Sequence, residues 1–125
     1  MNRVFTADRG SLREIRQFIR ERAARDSFST YADKLVLAVS EACANSVVHT
    51  DSSRIEVRWR ATQDRVEIEV EDDGVFRRRI PAPEFDGQGH RGIPLMMALL
   101  DQVSISGGTE ARPGTLVRLV KFKRP

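Results

Sequence analysis

The sequence predicts an α+β fold: a two-layer α/β sandwich, with a mixed, mostly antiparallel sheet carrying its helices on one face. Two observations lead there. First, two segments alternate with a period of two. Ile55, Val57 and Trp59 are separated by charged residues, as are Val66, Ile68 and Val70. The intervening positions are Arg54, Glu56, Arg58 and Arg60 in one segment and Glu67, Glu69 and Glu71 in the other. Strands that are apolar on one face and charged on the other belong to a sheet covered on one side only, which argues against a doubly wound parallel sheet. Second, residues 11–27 and 35–50 carry apolar stripes at helical spacing and supply the covering layer. With 125 residues, residues 1–125 are expected to form one domain, large enough to bury roughly two-thirds of its unfolded surface without staples.

In chain order, Arg3 to Ala7 is short and β-prone and predicts a first strand. Ser11 with Glu14 three residues on has the form of a capping box. Leu12, Ile15, Phe18 and Ile19 follow at helical spacing, with Arg13, Arg16, Arg20 and Arg22 on the remaining surface, so this helix should end near Ser27. Ser29, Thr30 or Asp33 is a suitable cap for the next helix. That helix, Leu35 to Thr50, has no Gly or Pro. The two period-two segments follow, joined by a hairpin over Ala61 to Asp64. Residues 75–89 are rich in Pro, Gly and charge, with Arg77, Arg78 and Arg79 consecutive. A loop of that length in a small domain is functional or mobile. Gly92 to Leu100 predicts a helix with Pro94 in its tolerant first turn. Val103 and Ile105 predict a strand, and Thr115 to Phe122 a last strand, apolar enough on both faces to lie inside the sheet.

Composition narrows the function. Net charge is +3, from 21 basic and 18 acidic side chains. That is too mild to indicate nucleic-acid binding, and no aromatics interleave the arginines, so direct nucleic-acid contact is not expected. The single cysteine, Cys43, permits no internal disulfide and reads as a buried structural thiol in a reducing compartment. No signal peptide, lipidation motif or apolar run of membrane length is found, so a cytoplasmic protein without membrane association is expected.

The central helix holds the residues that need explaining. Glu41, Asn45 and His49 stand at i, i+4 and i+8 on one face. They form either a solvated polar face or a site, with a carboxylate to take a proton and an amide oxygen to ligate a hard cation such as Mg²⁺. Three glycine-containing stretches follow. In VEDDGVF, Asp72 and Gly74 close a strand. This is either a plain Asp-Gly turn or a carboxylate placed to accept from an exocyclic amine, with Gly74 allowing close backbone approach. In GQGHRG, Gly87, Gly89 and Gly92 lead into a helix, whose N-terminal amides bind phosphate. Gly114–Thr115 leads into the last strand.

Taken in order, ExxxN on a helix, DxG after a strand, a glycine-rich loop into a helix and GT into a strand resemble the Bergerat-fold ATPases, the GHKL superfamily with the histidine-kinase-like ATPase domain. More closely, the chain resembles the bacterial anti-sigma-factor serine/threonine kinases. EACANSVVHT is similar to their N-box, VEIEVEDDGVF to their first glycine box, HRGIPLMMALLDQV to the second and GTLVRLVKF to the last. The likeness covers nearly the whole chain.

The resemblance implies a role for each matching residue. Asn45 would ligate the Mg²⁺ bridging the ATP phosphates, and Glu41 would be the general base for the attacking serine hydroxyl. Asp72 would hold the adenine amino group, with Gly74 passing close to the base and Thr115 near it. Gly89 and Gly92, with the helix start, would contact phosphate. Arg91 reads either as an extra charge beside the phosphates or as a solvent-facing loop arginine. His49 reads as a packing or hydrogen-bonding residue of the helix. The resemblance further implies an ATP-dependent protein kinase that restrains a sigma factor and phosphorylates an anti-anti-sigma partner of the STAS type. It implies a homodimer built on the first strand and the sheet edge. Two departures from the pattern stand out: Val75 and Phe76 follow Gly74 where DxGxG would continue, and His90-Arg91-Gly92 replaces a GxG. The second departure keeps open an alternative of another class, a non-catalytic partner-binding switch module of the same fold.

Overall fold

The computed structural model describes residues 1–74, 92–107 and 111–124, and of residues 48, 49, 92 and 93 the backbone alone. Strand β1 spans Asn2–Thr6, helix α1 Ser11–Arg25, a 3₁₀ turn Ser29–Tyr31, and helix α2 Ala32–His49. Strands β2 (Arg54–Ala61) and β3 (Arg65–Asp72) follow, then helix α3 (Gly92–Leu99) and strands β4 (Gln102–Gly107) and β5 (Thr115–Phe122). The five strands form one sheet in the order β1-β2-β3-β5-β4, and every described pairing is antiparallel. β5 lies inside the sheet between β3 and β4, as its apolar residues on both faces predicted. The glycine-, proline- and arginine-rich segment 75–91, which contains Gly89 and Arg91, lies outside the described residues. Among the described residues no helix is long and apolar enough to cross a membrane.

The core lies between the sheet and the helices. Ile15, Phe18, Ile19 and Ala23 of α1 and Leu35, Val39 and Ala42 of α2 are buried against Ile55, Val57, Trp59, Val66, Ile68 and Val70. The opposite face of the sheet is charged and laced with ion pairs. Arg58 meets Glu56 and Glu69 at 3.0 Å and Glu71 at 2.9 Å. Glu67 receives Arg118 at 2.8 Å and Arg65 at 3.0 Å. The Arg118 hydrogen bond holds the Glu67 carboxyl below its ordinary range. The two-layer form therefore follows from the alternation itself: one face of each strand has apolar partners to bury, and the other has charges that keep it solvated.

Both expected helix caps differ from the sequence reading. Ser11 is the first helical residue and Gly10 holds the cap position. Asp8 does the capping from further upstream: its Oδ1 accepts from the Ser11 N–H at 2.9 Å and from the Ser11 hydroxyl at 3.3 Å. A carboxylate serves the unpaired N–H groups and the positive end of the helix together, so it outcompetes a hydroxyl within the helix. None of Ser29, Thr30 and Asp33 caps α2. The 3₁₀ turn feeds the chain into it, with Tyr31 N–H bonding Phe28 carbonyl at 2.9 Å. Asp33 points outward to Arg20 at 3.0 Å.

The end of α1 fixes the corner that brings α2 back over the sheet. Ser27 takes a left-handed φ of 68°, and the Phe28 N–H closes onto the Ala23 carbonyl at 2.7 Å, the six-to-one bond of a Schellman motif. Phe28 and Ala23 are both fully buried. Phe28 meets Trp59 edge-on with ring centroids 6.4 Å apart, and Trp59 Nε1–H donates to Asp26 at 2.6 Å. A non-glycine residue in the left-handed region costs about 1–2 kcal/mol. Ser27→Gly is therefore expected to stabilise the fold by about 1 kcal/mol, net of the added freedom of the unfolded chain. A thermal melt checks this; an unchanged or lower Tm would mean that the corner is held by Phe28 packing alone.

Candidate functional site

Three chain segments converge at one end of the sheet: the last two turns of α2, the exit of β3, and the entry of β5. The alternation of β3 sends consecutive aspartates to opposite sides. Asp73 turns outward and clamps the entry of β2. It accepts from Ser53 N–H at 2.8 Å, Ser53 Oγ–H at 2.6 Å and Arg54 N–H at 3.3 Å. Those bonds, led by the Ser53 hydroxyl, hold its carboxyl below the usual range. Asp72 turns inward and is buried.

Asp72 is a carboxylate with most of its acceptor capacity in use. Its Oδ1 accepts from Gly74 N–H at 3.2 Å and from Thr115 N–H at 2.9 Å. Its Oδ2 accepts from the Ser46 hydroxyl at 2.5 Å. Beside it the Thr115 hydroxyl is buried with no hydrogen-bond partner among the described residues. A buried, unpaired hydroxyl costs free energy comparable to a lost hydrogen bond. This one stands next to a carboxylate that still has room to accept, so the pair offers an acceptor and a hydroxyl to a ligand. Cys43, one turn before Ser46 on α2, is fully buried. Burial, reinforced by the Asp72 charge, pushes its thiol up to about 12. It is therefore a neutral part of the site floor, in line with the structural thiol expected.

Two glycines make this convergence possible. A Cβ on Gly74 would stand 2.5 Å from the Ser52 backbone nitrogen and 2.6 Å from Asp51 Oδ1. The close approach that requires glycine here is to the chain's own loop between α2 and β2, so Gly74 has a structural reason independent of any ligand. Gly114 has φ +87° and no room for a Cβ, which would meet the Asp72 carbonyl at 2.7 Å. Its N–H donates to the Gly74 carbonyl at 2.8 Å, tying the start of β5 to the end of β3. Only glycine combines that φ with that contact.

Glu41 and Asn45 lie one turn apart on α2 and are half-buried. Among the described residues neither side chain has a hydrogen-bond partner. Ser46 connects them to the rest: it follows Asn45 in the chain and bonds Asp72 directly. Gly92 is the first residue of α3, which packs against α2. The Ser46–Asp72 bond thus sets Asp72, with the Gly74 and Thr115 N–H groups it accepts from, against the last turns of α2, where Asn45 is the residue before Ser46 and Glu41 stands one turn earlier. Gly89 and Arg91 lie outside the described residues, as does the side chain of His49. Among the described residues no three His, Cys, Asp or Glu side chains form a metal-binding group; an amide such as Asn45 would share a cation with its ligand's own oxygens. The donor set therefore fits a nucleotide: an acceptor and a hydroxyl for a base, an amide oxygen for a cation, and a helix N-terminus for phosphate.

Sequence reasoning did not single out Ser46, which lies on the apolar stripe of α2 with Leu35, Val39 and Ala42. The signal was a hydroxyl interrupting that stripe directly after Asn45. Asp51, Ser52 and Thr50 were also missed as the loop that receives Gly74. Thr50 Oγ1–H bonds the Ser46 carbonyl at 2.5 Å and lies 2.6 Å from Ser52 Oγ.

Comparisons with known proteins bear on the family and the fold. The family model for the histidine kinase-like ATPase domain matches residues 5–121. The chain is 32% identical over 108 residues to the serine-protein kinase RsbW of Bacillus pumilus (strain SAFR-032), a match that covers 72% of this chain and 64% of that protein. The chain thus spans a little under two-thirds of that relative's length. Among solved structures, the histidine kinase domain from Erythrobacter litoralis EL346 blue-light activated histidine kinase superposes with a TM-score of 0.56 at 22% identity. That superposition covers 90% of this chain and 59% of the other. The Acinetobacter baumannii histidine kinase AdeS gives a TM-score of 0.53 at 8% identity, over 100% of this chain and 68% of that one. At these identities the two structures speak for the fold alone.

Proposed function

Because this chain belongs to the histidine kinase-like ATPase domain family, we propose that residues 1–125 form a single ATPase domain acting as an anti-sigma serine/threonine protein kinase. The observation that carries the nucleotide reading is the pairing, among the described residues, of a buried carboxylate that still has room to accept with the buried, unpartnered Thr115 hydroxyl. The likeness to a serine-protein kinase supports the protein-kinase reading.

In this reading Asp72 would accept a hydrogen bond from the exocyclic amine of adenine, and the Thr115 hydroxyl, without a partner among the described residues, would gain one from the same base. Gly74 holds the backbone close. Asn45 supplies an amide oxygen to Mg²⁺, and Gly89, Gly92 and the α3 N-terminus present N–H groups to phosphate, with Arg91 as added positive charge. Mg–ATP supplies the phosphoryl group and neutralises its charge when bound. Glu41 takes the proton of the attacking serine hydroxyl, and the site otherwise contributes position and charge, which is most of what phosphoryl transfer requires. The partners are a sigma factor, which the protein sequesters, and an anti-anti-sigma protein of the STAS type, which it phosphorylates in the cytoplasm. It works as a homodimer through β1 and the sheet edge; a monomeric mass by light scattering at tens of micromolar would remove that part.

His90-Arg91-Gly92, where the family pattern has GxG, favours a second reading: a partner-binding switch with or without bound nucleotide, and no phosphotransfer. The experiment that tests nucleotide use is thermal stabilisation. A ligand at about a hundred times its Kd stabilises by ~2.7 kcal/mol. The parent protein is expected to gain this from Mg–ATP, whereas Asn45→Ala, folded as before, loses the Mg²⁺-dependent share. Equal stabilisation of both proteins would remove Asn45 from metal binding, and none in either would remove the nucleotide.

A further inference from the structure

We propose that Ser46 is a positioning residue that makes the Asp72 site select a base with an amino group over one with a carbonyl at the same place. The proposal rests on the nucleotide reading above and adds a residue and a specificity to it.

Ser46 is 5% exposed, within the apolar stripe of α2. A hydroxyl there is costly unless it is hydrogen-bonded. It has one proton to give and two acceptors in range, Asp72 Oδ2 at 2.5 Å and the Ala42 carbonyl at 3.4 Å. The charged and much nearer oxygen takes it. An ionised carboxylate has about four acceptor sites. On Asp72, Oδ1 is filled by the Gly74 and Thr115 N–H groups and Oδ2 is half filled by Ser46. Among the described residues, what stays open is one lone pair on Oδ2, and its direction is set because both oxygens are held. A ligand meeting it must donate. An exocyclic amine satisfies it, while a carbonyl oxygen would face an anionic lone pair and be rejected.

The grip on Asp72 extends behind Ser46. The Ser46 carbonyl accepts from Thr50 Oγ1–H at 2.5 Å, and Thr50 Oγ1 lies 2.6 Å from Ser52 Oγ. Ser52 is the residue against which Gly74 packs. Ser46, Asp72 and Gly74 thus belong to one hydrogen-bonded unit spanning α2, the α2–β2 loop and the β3 exit. Without the Ser46 hydroxyl, Asp72 would be held through Oδ1 alone, free to turn about its terminal torsion, and the open acceptor would lose its fixed direction.

The test compares Mg–ATP with Mg–ITP, which differ at the amino or carbonyl group in question, by titration calorimetry on the parent, Ser46→Ala and Ser46→Thr. Both affinities are read on one preparation, so their ratio is insensitive to any misfolded fraction. The parent is expected to prefer ATP. Ser46→Ala should lower the ATP:ITP ratio roughly 10-fold, the worth of one hydrogen bond to a charged group, through weaker ATP binding with ITP unchanged. Ser46→Thr, which keeps the hydroxyl, should retain most of the preference. An unchanged ratio in Ser46→Ala, or equal weakening of both nucleotides, overturns the role of Ser46 while leaving the nucleotide reading standing. A parent that binds neither nucleotide overturns the nucleotide reading, and the proposal with it.

Discussion

Glu41→Gln is expected to slow phosphoryl transfer by ~10²–10⁴-fold, the usual worth of a positioned general base, while ATP and partner binding stay at parental values. Glu41 sits in mid-helix, half-buried, with no hydrogen-bond partner among the described residues. Glutamine keeps its length, its helix preference and one acceptor oxygen, so neither α2 nor the core beneath it has reason to change. It removes the charge and the basicity. The measurement is single-turnover transfer of labelled phosphate to an anti-anti-sigma protein, alongside nucleotide titration. Equal rates in parent and variant would remove Glu41 from proton transfer. If both bind ATP and partner yet neither transfers phosphate, the switch reading holds, and His90, in place of a glycine, becomes the first residue to change.

Asp72→Asn is expected to weaken ATP binding by at least ~10²-fold at little cost to the fold. An asparagine at this position can keep its carbonyl oxygen toward the Gly74 and Thr115 N–H groups, which now bond Asp72 Oδ1. Its amide nitrogen then replaces Oδ2 and donates to the Ser46 oxygen, whose own proton turns to the Ala42 carbonyl, already 3.4 Å away. The local hydrogen bonds survive in rearranged form, so unfolding free energy should change by no more than about 1 kcal/mol. The side facing the ligand changes from acceptor to donor, and the adenine amine meets an N–H. ITP, whose carbonyl can accept, should lose much less. Calorimetric titration with both nucleotides checks this; parental ATP affinity in Asp72→Asn would show that the base is anchored elsewhere.

Much of the architecture was legible because the chain states its periods clearly. The alternation at 55–59 and 66–70, with arginines on one strand and glutamates on the next, specified an antiparallel pair open on one face. The observed Arg58–Glu69 bond at 3.0 Å is one product of that register. The helices were legible for the same reason, but their starts were not. Ser11 looked like a cap, and Asp8 does the work from outside the helix. Ser29, Thr30 and Asp33 looked like caps, and a 3₁₀ turn made one unnecessary. Caps depend on which of several nearby polar groups reaches a free N–H first, and a difference of one or two residues in chain direction decides that.

For the site, the ordered motifs named Glu41, Asn45, Asp72, Gly74 and Thr115 without any coordinates, since short patterns on a helix and at strand ends preserve spacing along the chain. What the sequence by itself determined is therefore the fold class, the strand faces and the identity of the polar groups at the ends of α2, β3 and β5. Tertiary structure alone decided what those groups touch. Ser46 drew no attention in the sequence, and its part in the site shows only because β3 brings Asp72 Oδ2, 26 residues along the chain, to 2.5 Å from its hydroxyl. Gly74 read either as part of a plain Asp-Gly turn or as a point of close backbone approach to a ligand, and the α2–β2 loop, 2.5 Å from where its Cβ would be, adds a structural reason of its own. That the Thr115 hydroxyl is buried without a partner among the described residues was visible only in the structure. The physical reason is the same in each case. Periodicity records which face of an element is buried, whereas a hydrogen bond between elements depends on how two such faces are brought together, and no local pattern in the chain encodes that.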